Sequence, residues 1–358
     1  MRIALLIPHI FMQDKYINDV IFSPGTIAIN LAGGLRALGH EITIFSPGPI
    51  DTKTGCRNIT ADCSLIEKEL LNRGYGMSGL MSKHPLTYIT LSRQIQSELI
   101  AKCYKMLNEG LFDIVHVWIT EEDLAMNFAR LVNRPIVFTH HEPFNFLTKY
   151  RTSFENYKDL NWISISYSQR KTINIKMNWI ENVYHGAKIV EDNTSLENKD
   201  TNKEYFAYFG RIIEPKGVHL AIRAIKEYNR RQQSNKQQNK KPAILRIAGK
   251  HYSGNKDLYW EQKISPFIDG KEVRYVGFIK DEGEKYNFLA NAKALLAPSI
   301  WNEPFGMMTI EAMSVGTSTI GLNNGALPEV IENHKNGYIV KTKYKFNTLE
   351  TSSNLIDE

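Results

Sequence analysis

Twice along this chain, short apolar runs of strand length alternate with amphipathic runs at helical spacing, and a polar stretch separates the two series. This alternation restricts the fold more than any other feature. Parallel strands need crossover connections, and a parallel sheet must be covered by helices on both faces. In the first series the strand candidates are Ile3–Ile7, Ile42–Phe45, Ile114–Val117, Ile136–Thr139, Trp162–Ser166 and Asn182–Tyr184. Between the first two, Ile27, Leu31, Leu35 and Leu38 recur on one helix face until Gly39-His40 stops it. From Lys188 to Lys203 the chain turns to Asn, Asp, Glu and Lys with almost no apolar anchors, the composition of a linker. The pattern then restarts with Tyr205–Phe209, Ile244–Ala248, Val273–Val276, Ala294–Ala297, Ser318–Gly321 and Tyr338–Val340. The expectation is an α/β protein of two Rossmann-like doubly wound domains facing a cleft: residues 1–187, a linker at 188–203, a second domain at 204–341 and a polar tail at 342–358. Open sheets of this kind bind ligands at the carboxyl ends of their strands.

A chain of 358 residues suits two such domains, and 42% hydrophobic with 23% charged residues excludes wholesale disorder. No apolar run approaches the roughly 20 residues that span a bilayer. The opening apolar run is cut by Pro8 and reads as a buried strand, not a signal sequence. Cys56, Cys63 and Cys103 have neither a zinc spacing nor a disulfide framework, so a reducing, cytoplasmic setting is expected. The net charge of +6 is concentrated in Arg230, Arg231, Lys236, Lys240 and Lys241, without which it is +1. That stretch lacks interleaved aromatics to stack bases, so it reads as a solvated loop, and no nucleic-acid partner is expected. Gly74-Tyr75-Gly76-Met77-Ser78-Gly79 spells a dinucleotide fingerprint, but the run before it is helical and Pro85 follows soon after. Without a strand before it the motif reads as a glycine loop.

Three segments carry candidate chemistry. In Ser299–Met313, Glu303 falls in a loop after a strand ending at Ala297-Pro298, and Glu311 falls in the helix beyond. Pro304 and Gly306 mark the turn where that helix begins, and amides around Phe305, Gly306 and Met307 lack intrahelical partners. Such amides suit an anion or a sugar hydroxyl. In Gly210-Arg211-Ile212-Ile213-Glu214-Pro215-Lys216-Gly217, two cations lie on a glycine-flanked strand-to-helix loop, with Glu214 the one acid nearby in sequence. A guanidinium fork and an ammonium on one loop suit a diphosphate. In Thr139-His140-His141-Glu142-Pro143, two histidines stand at the carboxyl end of a strand, placed for acid–base work or for hydrogen bonding to a ligand.

At these points the chain resembles the family 4 retaining glycosyltransferases of the GT-B fold. The resemblance runs from Met1 to about Lys341 and is densest from Tyr205 onward. It rests on the Glu303/Glu311 pair within Glu-Pro-Phe-Gly, the Gly-Arg…Lys-Gly loop, Glu-Ala-Met before Gly316, and Asn336-Gly337-Tyr338. Gly39-His40-Glu41, Asp113-Ile114-Val115-His116 and Tyr184-His185-Gly186 match first-domain landmarks. The resemblance implies a hexosyltransferase with a nucleotide diphosphate sugar, a UDP- or GDP-sugar, as donor substrate. It implies no cofactor and no metal. Arg211 and Lys216 would bind the diphosphate, and Glu303 the sugar hydroxyls with the amides of Phe305, Gly306 and Met307. Glu311 would hold the ribose. His141, better aligned than His140, would contact the sugar, making His141 and Glu303 the catalytic candidates. Gly25 would sit in the phosphate-side loop of the first, acceptor-side domain, although Pro24-Gly25 stands where paired glycines are usual. A glycan or a lipid-linked acceptor, with peripheral membrane contact, fits the resemblance equally. Family members usually continue past Asn-Gly-Tyr with helices, whereas here only a polar segment follows. Rival readings are an epimerase or phosphorylase on the same scaffold, or an inactive chain that binds a nucleotide sugar.

Overall fold

β1 (Arg2–Leu6) is buried at four successive positions, as a strand covered on both faces of its sheet must be. The computed structural model describes residues 1–17, 22–51, 55–119, 123–145, 148–189, 203–234, 241–251 and 257–341. The chain divides into two compact units. Met1–Ile165 and Arg170–Tyr184 form the first, and Ser166–Gln169 with the chain from His185 onward forms the second.

In the first unit β1 is joined by β2 (Glu41–Ser46), β3 (Arg57–Thr60), β4 (Ile114–Ile119), β5 (Ile136–His140), β6 (Asn161–Ser164) and β7 (Trp179–Asn182). All pair in parallel, in the order β3-β2-β1-β4-β5-β6-β7. The strand order reverses between β1 and β4. Arg2 and Asp113 hold the lower end of that junction through a 2.7 Å ion pair. In the second unit β8 (Tyr205–Phe209), β9 (Ile244–Ala248), β10 (Val273–Gly277), β11 (Ala292–Ala297), β12 (Thr319–Leu322) and β13 (Gly337–Val340) form a parallel sheet ordered β10-β9-β8-β11-β12-β13. Here the reversal lies between β8 and β11. The fold is therefore α/β, with two Rossmann-like units.

Two strand expectations need correction. The last strand of the first unit, β7, runs over Trp179–Asn182, not Asn182–Tyr184. Trp179 packs edge-on to Phe144 and under Arg170, and this aromatic anchor pulls the pairing three residues toward the N-terminus. β3 went unread because it is a short edge strand in which only Ile59 is buried. The glycine motif at 74–79 follows a helix (Ser64–Arg73), and Gly76 caps the next one (Met77–Lys83). Glu98 lies within the long helix Pro85–Asn108.

The basic stretch also differs from a plain loop. The helix Val218–Ser234 runs through Arg230 and Arg231, and both pair with Glu227 on the preceding turn. The Asn229 side chain exchanges two hydrogen bonds with the Ala243 backbone, closing the base of the insertion. Lys236, Lys240, the linker at 190–202 and the tail at 342–358 lie outside the described residues.

Each unit holds a half-buried histidine whose neutral form is favoured. His116, on β4, meets the Thr139 hydroxyl at 2.7 Å, and His185 packs edge-on against Phe305. Burial lowers both to about 4. A pKa below the unfolded value of about 6.5 means the unfolded chain binds the extra proton. The neutral rings' contribution is therefore complete above about pH 6.5 and lost as pH falls through 4, on the order of 3 kcal/mol for each ring. The thermal midpoint is expected to drop steeply between pH 6.5 and 4, and His116→Gln is expected to blunt the drop. An equal drop in the variant would show that His116 does not drive it.

Candidate active site

The reversal between β8 and β11 brings the two richest sequence segments side by side in the second unit, because each is the loop that follows one of these strands. After β8, Gly210 donates to the Ala248 carbonyl and Ile212 to the Lys250 carbonyl, so the loop first continues alongside β9. The buried Tyr208 hydroxyl donates to the Arg211 carbonyl at 2.7 Å and holds that residue at the sheet edge. The half-buried Arg211 guanidinium forms no ion pair among the described residues. A 3-10 turn (Glu214–Lys216) then ends at Gly217, whose left-handed backbone lies against the Pro298 carbonyl. No side chain fits there. Ile300 donates to the Pro215 carbonyl at 2.9 Å and ties the two loops together.

Lys216 and Glu303 meet inside this seam, 87 residues apart in sequence. The Lys216 ammonium donates to Glu303 Oε2 at 2.7 Å and to Oε1 at 2.9 Å, and both side chains are over 90% buried. Glu303 Oε2 also accepts from Ser299 Oγ at 2.9 Å and Trp301 Nε1 at 3.0 Å. The Trp301 ring lies 5.0 Å from the ammonium. Burial is the largest influence on the Glu303 carboxyl and pushes its pKa up. The Lys216 charge and the hydrogen bonds from Lys216, Trp301 and Ser299 together outweigh it and hold the pKa below the usual value. Glu303 is thus a fixed carboxylate. Its Oε2 has a full set of donors, while Oε1 receives one and keeps an acceptor position. The acid that offsets the cationic loop is this remote glutamate, not the adjacent Glu214.

The helix after β11 spans Met307–Ser314. Phe305 and Gly306 precede it, Gly306 being its left-handed N-cap with no side-chain cap, and Met307 is its first residue. The main chain just before it is braced by three contacts. Ala326 donates to the Glu303 carbonyl, Ser166 Oγ donates to the Pro304 carbonyl, and Asn324 donates to the Ser299 carbonyl. One turn along the helix, Glu311 Oε1 accepts from Lys285 at 2.9 Å, with both side chains mostly buried. Ser299 and Trp301 lie in the segment the sequence singles out, but their bonds to Glu303 do not show there, and Lys285 lies outside it. Lys285 lies in an ordinary charged helix (Glu282–Ala290), and nothing local marks it.

The remaining candidates belong to the first unit. His140 is wholly buried against Phe144 and Phe154, inside the aromatic core. His141 stacks on Trp118 with ring centroids 4.4 Å apart. Gly25 is buried in the first turn of the helix Ser23–Ala37, which follows β1 and has no side-chain cap. Among the described residues no three His, Cys, Asp or Glu side chains gather as metal ligands. No described helix is long and apolar enough to cross a membrane.

Residues 25–173 match the family profile described as Glycosyltransferase Family 4, and residues 190–354 match that described as Glycosyl transferases group 1. The chain belongs to the family 4 glycosyltransferases of the GT-B fold. This glycosyltransferase is 24% identical over 352 residues to an uncharacterized glycosyltransferase, MJ1607, of Methanocaldococcus jannaschii, with 89% of this chain and 82% of that one covered. It is 22% identical over 350 residues to a phosphatidyl-myo-inositol mannosyltransferase of Propionibacterium freudenreichii subsp. shermanii, covering 92% and 79%. Among solved structures it resembles Anabaena Alr3699/HepE in complex with UDP-glucose, with a TM-score of 0.63 at 15% identity, covering 100% of this chain and 90% of that one. Sucrose-phosphate synthase of Thermosynechococcus elongatus gives a TM-score of 0.65 at 16% identity, covering 99% and 90%. At these identities the structural likeness speaks for the fold.

Proposed function

We propose that this glycosyltransferase moves a hexosyl group from a UDP- or GDP-sugar to a hydroxyl acceptor with retention of configuration and without a metal. The observation that carries the reading is the buried Lys216–Glu303 pair beside Arg211, which forms no ion pair among the described residues, at the sheet reversal and next to a helix start with no side-chain cap. Arg211 offers a fork to the diphosphate. Lys216 spends two N–H donors on Glu303 and keeps a third for a phosphate oxygen. The open position on Glu303 Oε1 takes a sugar hydroxyl, and the amides of Phe305, Gly306 and Met307 face the same ligand. Glu311 keeps Oε2 for the ribose hydroxyls while Lys285 holds Oε1. From the first unit, His141 is assigned to the sugar and Gly25 to the phosphate side.

The chemistry follows from the charges. A carboxylate already held by an ammonium, a hydroxyl and an indole is a poor nucleophile, which favours direct substitution over double displacement. The bond between the anomeric carbon and the β-phosphate oxygen breaks while the acceptor oxygen bonds on the same face. The acceptor proton passes to the leaving diphosphate. Charge builds on that diphosphate, where Arg211, Lys216 and the helix start stabilise it. The UDP-glucose bound by the Anabaena neighbour supports a nucleotide-sugar donor.

The test is thermal stabilisation of the chain by UDP-, GDP-, ADP- and dTDP-sugars, followed by turnover with the donor that binds. One donor is expected to raise the midpoint, and Arg211→Ala is expected to lower turnover at least about 30-fold. Turnover within threefold of the unmutated chain would remove Arg211 from the mechanism. Inversion at the anomeric carbon, read by NMR, would overturn the retaining assignment, and loss of turnover in EDTA the metal-free one.

A further inference from the structure

The second unit also holds a cavity of about 570 Å³ that the transfer chemistry does not use. One wall is a face of the helix Val218–Ser234, and the other is the π-helical turn Trp260–Ile264 with the 3-10 turn that follows it. Arg223, Lys226 and Arg231 line it from the helix and Lys263 from the turn, while Ile222 and Phe267 supply apolar surface. Glu227 is the one acid in the lining and Asp269 lies nearby, and both are already engaged. Glu227 accepts from Arg230 and Arg231, and Asp269 accepts from Lys226 at 3.4 Å. Arg223 and Lys263 form no ion pair among the described residues, so the cavity carries uncompensated positive charge from both walls.

His219, also in the lining, adds a neutral donor. The Tyr259 hydroxyl oxygen accepts from the backbone N–H groups of His219, at 3.2 Å, and Val218, which fills its acceptor positions and leaves its hydrogen for His219 Nδ1 at 2.8 Å. That bond leaves the ring proton on Nε2. Burial, and then the Lys263 charge, lower the His219 pKa and favour this neutral form. An N–H donor, a guanidinium and an ammonium form the donor set that a phosphate group takes.

We propose that this cavity is a second anion site, one that binds the phosphate group of a phosphorylated ligand whose apolar part rests on Ile222 and Phe267. It lies outside the loops that follow β8 and β11. The ligand is either a soluble phosphate ester or an anionic lipid headgroup, which present the same chemistry. The site stands independently of the transferase reading.

The probe is inorganic phosphate, followed through the imidazole resonances of His219 in histidine-labelled protein, with His219→Gln for assignment. Chloride at matched ionic strength is the control. In an Arg211→Ala background, phosphate is expected to shift the His219 signals saturably. Adding Arg223→Ala and Lys263→Ala is expected to weaken that response at least tenfold without changing the thermal midpoint, because both side chains are exposed. A response that chloride reproduces, or that survives the double substitution, overturns the proposal. Co-sedimentation with phosphatidylglycerol vesicles then separates the sources. Capture that disappears in the double variant identifies a lipid headgroup, and a phosphate response without capture identifies a soluble ester.

Discussion

Lys216→Ala is expected to cost the second unit about 3–5 kcal/mol and to lower turnover by at least about a hundredfold. The stability loss arises because Glu303 stays behind with its carboxylate buried and two neutral donors in place of an ammonium. The turnover loss arises because the same ammonium is assigned to the diphosphate. A second variant separates the two effects. Lys216→Met with Glu303→Gln removes both charges, and the glutamine oxygen can still accept from Ser299 and Trp301. Stability is expected to return to within about 2 kcal/mol of the unmutated chain, since a buried pair exchanged for neutral groups is often close to neutral. Turnover is expected to stay low. Denaturant unfolding and a nucleoside diphosphate release assay measure the two quantities. Recovery of turnover in the double variant would mean that neither charge takes part in the reaction.

Gly325→Ala is expected to abolish most activity although the residue bears no functional group. Its backbone is left-handed, with φ near +57°, and a Cβ there runs into the main-chain nitrogen and carbonyl of Glu303. Left-handed backbone alone costs about 1–2 kcal/mol for a residue with a side chain. The contact adds to this by pushing on the strand of backbone that carries Glu303, whose carbonyl is held by Ala326. A displacement of roughly 1 Å in a reacting group lowers turnover about a hundredfold. Gly39→Ala is the matched control. Gly39 has φ of +85°, and a Cβ there meets nothing within 4 Å. Both variants are expected to lower the thermal midpoint, and only Gly325→Ala to lower turnover per folded molecule. Equal turnover in the two would show that the Glu303 loop tolerates the push.

Both predictions concern a seam that the sequence shows only in halves. Arg211, Lys216, Glu303 and Glu311 were each recognisable from local context, because glycines and a proline around a strand end mark a loop, and a loop at a sheet edge is where ligands bind. Their partners were not. Glu214 is the one acid near Lys216 in sequence, yet the carboxylate that meets Lys216 comes from Glu303 on the neighbouring loop. Trp301 and Ser299 read as ordinary loop residues until their donors are seen to share one oxygen. Lys285 is one charge among several on its helix, and only the packing of that helix against Met307–Ser314 selects it.

The sequence by itself determined the α/β architecture, the two-unit organisation and the positions of most strands. Those properties follow from apolar periodicity and turn chemistry, which act over a few residues. It also separated the glycine motif at 74–79 from a true phosphate loop, since the helix before that motif is equally local. Tertiary structure decided which loops lie side by side, through the reversal of strand order between β8 and β11. It decided that His140 belongs to the aromatic core while His141 stacks on Trp118, because adjacent residues in an extended chain point to opposite sides. It also decided the ionisation of Glu303, because a buried carboxylate's charge depends on an ammonium 87 residues away. Electrostatic partners of this kind are chosen by distance in space, and chain order carries no record of that distance.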